Sequence, residues 1–506
     1  MMSLVFLGTG ASCAIPVIGH LHRGTSCVCK DAMDNPNSLN RRNNVSLLIH
    51  LPKESIQNAC SNTSGTDKGP GGVGTNVSKL KGDNIGGNKK SSQEDINIII
   101  DSGKTFRHAY FRVLAPRHIH YVDALLLTHG HSDAMQGVGE LCELHAMARQ
   151  QLRRSPGLSI AMQPQNVARV YTPPTTDSVN EPPERDGRAK NTNVASPSKE
   201  NSTILPPALR RCRIQTYLTA LTLENIRVML PDVAQNSRYL GAAPADVAAY
   251  ENLMKQVAKQ DTDQADEGSC DDGLIGLDIF EVSEEAPMPL YIDALEDLVP
   301  MYSLPVEHGK NYISLGFVFG RGTAFKSQLV GATGASTATP DELTEKSCVV
   351  YISDVSSIPE VSMKFLLDLV KIDVLVFDLL AAKGSSSLPH TCWDDIMPYL
   401  RLLTPKQTFF VGMFCSLEHH TSNRLWEIDM AAEKKRVKEL LLHSQSSSKK
   451  NSSLSNAADV YAKGTTLDKF YCEGEQYEDL EVRWRRFLEI DTPKLAYDGL
   501  EVPLPL

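Results

Sequence analysis

Residues 125–134 read Leu-Leu-Leu-Thr-His-Gly-His-Ser-Asp-Ala, an apolar run that stops abruptly at a His-x-His-x-Asp pattern. Such a run is typical of a buried strand that delivers metal ligands at its carboxyl end. The imidazoles of His129 and His131 point the same way only if the backbone between them is extended. Asp133 adds a hard oxygen ligand suited to a second cation. The spacing therefore predicts a two-metal site.

Further motifs follow in order along the chain: Phe6-Leu7-Gly8-Thr9-Gly10-Ala11-Ser12, Ile100-Asp101-Ser102-Gly103-Lys104-Thr105-Phe106, Pro305-Val306-Glu307-His308-Gly309, Tyr351-Ile352-Ser353-Asp354 and Tyr497-Asp498-Gly499-Leu500. With the His-x-His-x-Asp motif, this series resembles the metallo-β-lactamase superfamily. Within it, the set is most similar to the branch of the bacterial cyclic-phosphate phosphodiesterase PhnP and its eukaryotic relatives, which share Ala134. The resemblance implies a four-layer αββα sandwich, in which helices flank two mixed sheets.

Composition restricts the class of protein. A net charge of −10 and a pI near 5.8 argue against a general nucleic-acid binder, although a local basic groove remains open. The sequence contains no run of about 18 apolar residues, so it predicts no membrane span. The apolar start of the chain lacks a basic region and continues into Gly8-Thr9-Gly10, so we expect a first strand there and no signal peptide. The 11 irregularly spaced cysteines fit a reducing compartment, the cytoplasm or the nucleus.

The domain organisation follows from where apolar residues are scarce. Polar, low-complexity stretches predict disordered insertions at about 55–94, 173–207, 258–273, 320–346 and 443–467. Roughly 300 residues remain, which is enough for one α/β sandwich with a sizeable core. We therefore expect residues 1–506 to form a single enlarged domain.

Two distant strand ends supply further candidate metal ligands. An isolated His after a strand is usually a polar surface residue, but the segment after His308 has the pattern of a hairpin partner, as expected after the third metal His of the superfamily. Asp354 ends an apolar strand, and a carboxylate is costly to bury without a partner. The resemblance implies that Asp354 bridges both metals.

Three other residues are candidates for supporting roles. Asp101 either orients a metal-bound His or caps the helix predicted after it. Asp378 follows a second apolar strand, where it either supports the site or lies exposed at a loop mouth. His390 stands where PhnP-like proteins have an active-site His, which makes it the candidate proton donor, against the alternative of a loop His that caps the following helix.

The chain departs from the superfamily pattern after the strand predicted at 408–413. Phe414-Cys415 stands where the last His ligand of the second metal is expected, and Ala134 replaces another. Cys415 could ligate the second metal as a thiolate, or His419 or His420 could take its place. In either case we expect the second site to bind its metal more weakly.

A separate segment, His20-Leu21-His22-Arg23-Gly24-Thr25-Ser26-Cys27-Val28-Cys29, is dense in soft ligands. The resemblance implies a structural zinc site here, with Cys27 and Cys29 as ligands and a His as a third. His419 and His420 lie where that site takes a His in the branch, and contact with substrate is their other interpretation. Because Cys-x-Cys lacks the usual two-residue spacer, two ordinary loop thiols remain the alternative.

These residues predict a hydrolase. One or two ions of Zn or Mn, held by the His set, Asp133 and Asp354, would lower the pKa of a bound water to about 7. The resemblance implies a phosphodiesterase acting on a small or cyclic phosphodiester, with Asp133 and His390 in catalysis. The alternatives are a tRNA 3′-end-type nuclease, a thioester or lactone hydrolase, and a degenerate metal-binding interaction protein. A homodimer is one assembly left open, and we expect no membrane partner.

Overall fold

The computed structural model describes residues 1–21, 27–55, 95–154, 213–264, 275–295, 298–330, 346–387, 389–446 and 480–505. Within them, two mixed sheets pack face to face and helices cover both outer surfaces. This is the four-layer αββα sandwich expected from the sequence. No helix in the described ranges is both long and apolar enough to cross a membrane.

The first sheet has eight strands: β1 (Met2–Gly8), β2 (Ser46–Leu51), β3 (Ile96–Ile100), β4 (Ala124–Leu126), β5 (Arg213–Leu218), β6 (Arg238–Ala242), β7 (Gly276–Glu281) and β15 (Glu501–Leu504). Their order across the sheet is β15-β1-β2-β3-β4-β5-β7-β6. The pairs from β15 to β3 are antiparallel, and those from β3 to β6 are parallel. The metal motif follows β4, which lies in the interior of the sheet.

The second sheet has seven strands: β8 (Met288–Pro289), β9 (Met301–Glu307), β10 (Ile313–Phe319), β11 (Val349–Ile352), β12 (Val374–Asp378), β13 (Gln407–Val411) and β14 (Lys494–Leu495). Their order is β14-β13-β12-β11-β10-β9-β8. Strands β11 to β14 are parallel, so their carboxyl ends lie at one edge. Leu315 of β10 donates a backbone hydrogen bond to the carbonyl of Thr128 at 2.8 Å, which brings the metal motif to the second sheet.

The helices before β9 are α1 (Ile18–Leu21), α2 (Cys29–Asp34), α3 (Phe106–Ala109), α4 (Ser132–Met135), α5 (Val138–Arg154), α6 (Ala220–Met229), α7 (Pro231–Asn236) and α8 (Val247–Gln264). A π-helical turn (Tyr110–Leu114) and a 3₁₀ turn (Ala115–Arg117) continue α3. The later helices are α9 (Lys326–Val330), α10 (Glu360–Asp368), α11 (Trp393–Leu403), α12 (His419–Ser446) and α13 (Leu480–Glu489). Helices α3, α5, α6 and α7 pack on the first sheet, and α10 to α13 pack on the second.

The alternation of side chains along a strand builds the layers. In β1, Leu4 and Phe6 face the core between the sheets, whereas Val5 and Leu7 face the helices. Because both faces are covered, every residue of β1 is buried, and the residues from Leu4 to Leu7 are apolar in succession rather than alternating with polar ones.

Three predicted insertion boundaries differ from the structure. Helix α8 continues to Gln264, α9 lies within the segment predicted from 320, and α12 continues to Ser446. Polar residues on the exposed side of an amphipathic helix have the same composition as a solvated linker, which explains the difference. Residues 173–207 and most of the other predicted insertions lie outside the described residues.

Candidate metal centre

Three imidazoles meet between the sheets at the carboxyl end of β4. One ring nitrogen from each of His129, His131 and His308 lies within 4.8 Å of the others. Their ring centroids are 4.7 to 5.4 Å apart, and His129 and His308 are buried while His131 is exposed. The sequence placed all three in one site, and their convergence is compatible with a single divalent cation.

The hydrogen bonds of His129 leave one ring nitrogen facing this centre. The hydroxyl of Thr128 donates to Asp101 Oδ2 at 2.8 Å, so it accepts from Nδ1 of His129, also at 2.8 Å. Nε2 of His129 is therefore the acceptor nitrogen, and it is buried without a hydrogen-bond partner in the part of the chain that the structure describes. Burial lowers the pKa of His129 to about 3, which keeps it in the neutral form that binds metals.

His308 is held in the same manner. Its Nδ1 donates to the carbonyl of Pro389 at 2.8 Å, which leaves Nε2 as the acceptor. Burial lowers the pKa of His308 as well. Ring nitrogens fixed by a hydrogen bond on one side and unprotonated on the other are the usual arrangement of metal-binding histidines.

Two carboxylates complete the centre. Asp354 belongs both to the group with His129 and Asp133 and to the group with His308 and His390, each within 4.8 Å. Burial and the negative charge of Asp354 raise the pKa of Asp133. Burial would raise the pKa of Asp354, but the electrostatic interaction with the neighbouring imidazoles outweighs it and lowers that pKa. A buried carboxylate beside a half-buried one is costly without a cation, so this donor set fits a second metal between Asp354 and Asp133.

Asp101 lies behind the metal motif and not at a helix end. Its carboxylate accepts hydrogen bonds from the backbone amide and the hydroxyl of Thr128, both at 2.8 Å. Helix α3 begins later, after Thr105. Asp101 thus acts on His129 through Thr128, which is the orienting arrangement rather than the capping one.

His390 and Asp378 form a pair beside the carboxylates. Nδ1 of His390 donates to Asp378 Oδ2 at 2.8 Å and lies 3.9 Å from Asp354 Oδ1. Burial would lower the pKa of His390. The charge of Asp378 and the hydrogen bond to its carboxylate outweigh burial and raise the pKa of His390 to about 9. This pKa favours the protonated imidazole, whereas the place of His390 in a group with His308 and Asp354 would also permit ligation of a metal in the neutral form.

Tyr312 is a site residue that sequence reasoning missed. Its ring stacks on His131, with centroids 4.9 Å apart and an interplanar angle of 14°. Its hydroxyl accepts from the amide of Gly130 at 3.0 Å, and its carbonyl accepts from the amide of His308 at 2.8 Å. Tyr312 thereby joins the loops that carry all three imidazoles, and only its position four residues after His308 could have signalled this.

A second cluster of soft ligands lies elsewhere in the fold. It consists of His20, Cys27, Cys29 and Cys415, whose ligand atoms all lie within 4.8 Å of one another, and we call it the thiol cluster. Nδ1 of His20 is 3.1 Å from the sulfur of Cys415, 3.6 Å from that of Cys27 and 3.7 Å from that of Cys29. A tetrahedral zinc with Zn–S of about 2.3 Å and Zn–N of about 2.0 Å places nitrogen and sulfur about 3.5 Å apart. The thiol cluster therefore fits a zinc ion.

The structure corrects the expected place of Cys415. In the described ranges, Cys415 joins the thiol cluster and none of the groups around His129 and Asp354. The cause is the turn after β13, which carries Cys415 towards the N-terminal loop, where its carbonyl accepts from the amide of Val28 at 3.2 Å. The expectation that Cys415 ligates the second catalytic metal does not agree with this geometry.

His419 and His420 also differ from expectation, because neither joins a group of potential metal ligands in the described residues. Helix α12 begins at His419, whose ring lies 5.7 Å from that of Tyr497, and whose Nε2 is 3.2 Å from Asn423 Nδ2. His20 supplies the imidazole of the thiol cluster instead.

The paired sheets and the ligands at their strand ends decide the fold. It is the metallo-β-lactamase fold. Neither the protein-family models nor the curated proteins that were searched match the chain.

Solved structures with similar folds include a diphosphatase of the PhnP family, with 14% identity, a TM-score of 0.42, and coverage of 99% of this chain and 96% of that one. Human tRNase Z, short form, has 10% identity and a TM-score of 0.34, with 81% and 92% covered. The metallo-beta-lactamase fold protein YhfI from Bacillus subtilis has 8% identity and a TM-score of 0.38, with 99% and 98% covered.

Proposed function

We propose that the chain is a metal-dependent hydrolase, and specifically a phosphodiesterase acting on a small or cyclic phosphodiester. The observation that carries the proposal is the convergence of His129, His131 and His308 with Asp133 and Asp354, including a buried imidazole nitrogen that has no other described partner. The phosphodiester substrate is supported by the resemblance of the sequence motifs to PhnP-like proteins.

The cation and the protein's side chains have separate roles in the proposed reaction. When bound, a divalent cation supplies a water nucleophile of lowered pKa and neutralises charge on phosphate oxygens. His390, protonated and held by Asp378, donates its proton to the departing oxygen. Tyr312 keeps the exposed His131 in place, and Asp101 fixes His129 through Thr128.

The second metal position has fewer candidate ligands than the three-imidazole position, and we expect it to bind its ion more weakly. Ala134 is buried where a further imidazole would stand, and Cys415 belongs to the thiol cluster. Asp133 and Asp354 would therefore be the main protein ligands of a second ion. We expect its occupancy to depend on metal concentration, whereas the three-imidazole position retains its ion.

The test is hydrolysis of bis(p-nitrophenyl) phosphate and of a 2′,3′-cyclic nucleotide with added Zn²⁺ or Mn²⁺. We expect turnover that His308→Ala abolishes. The matched control is His108→Ala, an exposed histidine of α3. If the protein hydrolyses a thioester, a lactone or a tRNA precursor but neither phosphodiester, its substrate belongs to that other class and the proposed phosphodiester is wrong. No turnover of any of them by metal-loaded protein would favour a non-catalytic role.

A further inference from the structure

The segment from Val411 to Cys415 connects the thiol cluster with the residues that hold His390. It leaves β13 directly beside the end of β12. Leu379 donates to the carbonyl of Val411 at 2.8 Å, and Phe414 donates to the carbonyl of Leu380 at 2.9 Å. Both partners immediately follow Asp378, so the two strand ends form one hydrogen-bonded unit.

Gly412 lies close to the Asp378 carboxylate. Its φ is +74°, and a Cβ at this position would lie 2.4 Å from Asp378 Oδ1. Only glycine fits this position, because of both the left-handed backbone and the lack of space. The backbone of Gly412 thus forms part of the wall that fixes Asp378.

The other end of the segment is fixed from the N-terminal side. Arg42 is only 1% exposed, and its guanidinium donates to the carbonyl of Leu417 at 2.8 Å and to that of Phe414 at 3.3 Å. These bonds hold the turn that presents the Cys415 sulfur to His20, Cys27 and Cys29. The backbone of Cys415 is held as well by the Val28 amide, which donates to its carbonyl at 3.2 Å, and its sulfur lies against the other three ligands of the thiol cluster.

We infer that a metal ion in the thiol cluster positions the proton donor of the catalytic centre, by fixing Cys415 and, through the segment 411–415, the Asp378–His390 pair. Two residues, Met413 and Phe414, separate Cys415 from Gly412, so displacement of the thiol reaches the Asp378 wall through this short segment. Cys415 is then a positioning residue, and the role assigned to His390 rests on the proposed function.

The first test does not depend on activity. Hydrogen exchange is compared for the wild type, Cys415→Ser, and Cys348→Ser, a fully buried cysteine outside the cluster that serves as control. The amides to follow are those of Leu379 and Phe414, and that of Val355, which donates to Asp378 Oδ2 at 3.2 Å. We expect faster exchange at all three in Cys415→Ser and in wild type stripped of the cluster metal, and wild-type rates in Cys348→Ser.

The second test uses the leaving group. A p-nitrophenolate needs little protonation as it departs, whereas an alkoxide needs a general acid, whose contribution is typically about 10²–10⁴-fold. We expect Cys415→Ser to lose at least about 10-fold on the alkoxide diester and little on the nitrophenyl diester. Cys27→Ser replaces it if Cys415→Ser fails to fold.

Unchanged exchange at Leu379, Phe414 and Val355 after loss of the cluster metal overturns the inference. Equal losses on both diesters overturn it too, because they indicate damage to the whole centre. If the wild type hydrolyses neither diester, the proposed function fails, and the exchange comparison still decides whether the thiol cluster fixes Asp378.

Discussion

Nδ1 of His390 lies 2.8 Å from Oδ2 of Asp378, a carboxylate that is wholly buried. The bond orients the imidazole and favours its protonated form. The ring lies beside the candidate metal centre, with its centroid 4.8 Å from that of His308. A loop histidine that merely caps a helix would have no such partner, and the cap of α11 is Cys392 instead.

Replacing His390 by Gln separates its two potential roles. If it is the proton donor, kcat for an alkoxide diester falls by about 10²–10⁴, while the metal content and the rate with an activated diester change little. The measurement is kcat for both substrates, with elemental analysis of the same preparations. A variant that loses its metal would show that His390 is a ligand.

Replacing Tyr312 by Ala removes the ring that stacks on His131 and the acceptor of the Gly130 amide. We expect the affinity of the catalytic centre for its ion to fall by about 10–100-fold, as is typical when groups that orient ligands are removed. Tyr312→Phe keeps the stack and should lose less. Competition with a chromophoric chelator measures the affinity, with Tyr239→Ala, an exposed tyrosine, as control. Wild-type affinity in Tyr312→Ala would contradict this role.

Asp498 gives a pH dependence of stability away from the metal centre. Its buried carboxylate accepts from the amide of Asn43 at 2.8 Å and the hydroxyl of Thr9 at 3.0 Å, yet burial outweighs these bonds and raises its pKa to about 6. The folded pKa of Asp498 exceeds its unfolded pKa, so the protonated carboxyl contributes to the free energy of unfolding. That stabilisation is fully present below about pH 4 and is lost as pH rises through about 6.

Between pH 5 and 7, the Asp498 carboxylate should therefore lower the free energy of unfolding by about 1 kcal/mol. In Asp498→Asn, this part of the pH dependence disappears. Urea unfolding of both proteins at each pH measures it. An identical change of stability with pH in the variant would show that Asp498 ionises normally.

The thiol cluster predicts selective alkylation. Cys13 is exposed and should react with iodoacetamide in any state, whereas Cys27 and Cys415 should react only after a chelator removes the cluster metal. A cavity of about 530 Å³ beside both thiols gives the reagent access. Peptide mass spectrometry assigns the modified residues. Equal labelling of Cys27 with and without chelator would argue against a bound metal.

The sequence predicted the strands that carry the metal ligands, because apolar runs such as residues 125–127 and Val349–Ile352 end abruptly at polar residues. It also predicted that His129, His131, His308, Asp133 and Asp354 meet, and in the structure they come from strand ends of the two facing sheets.

It did not predict that Cys415 pairs with His20, because these residues are 395 positions apart and only the course of the turn after β13 brings them together. No sequence motif marks Tyr312, because its role depends on the stacking of its ring on that of His131. Such contacts arise from the packing of loops, which the period of apolar residues does not encode.

The number of bound transition-metal ions distinguishes the two sites. Protein purified without chelators is analysed for transition metals as wild type, His129→Ala/His308→Ala and Cys415→Ser. We predict that the histidine variant loses one or two ions per chain and keeps the ion of the thiol cluster, whereas Cys415→Ser shows the reverse. A histidine variant that retains the wild-type metal content, or a wild type that binds no transition metal, would contradict the account.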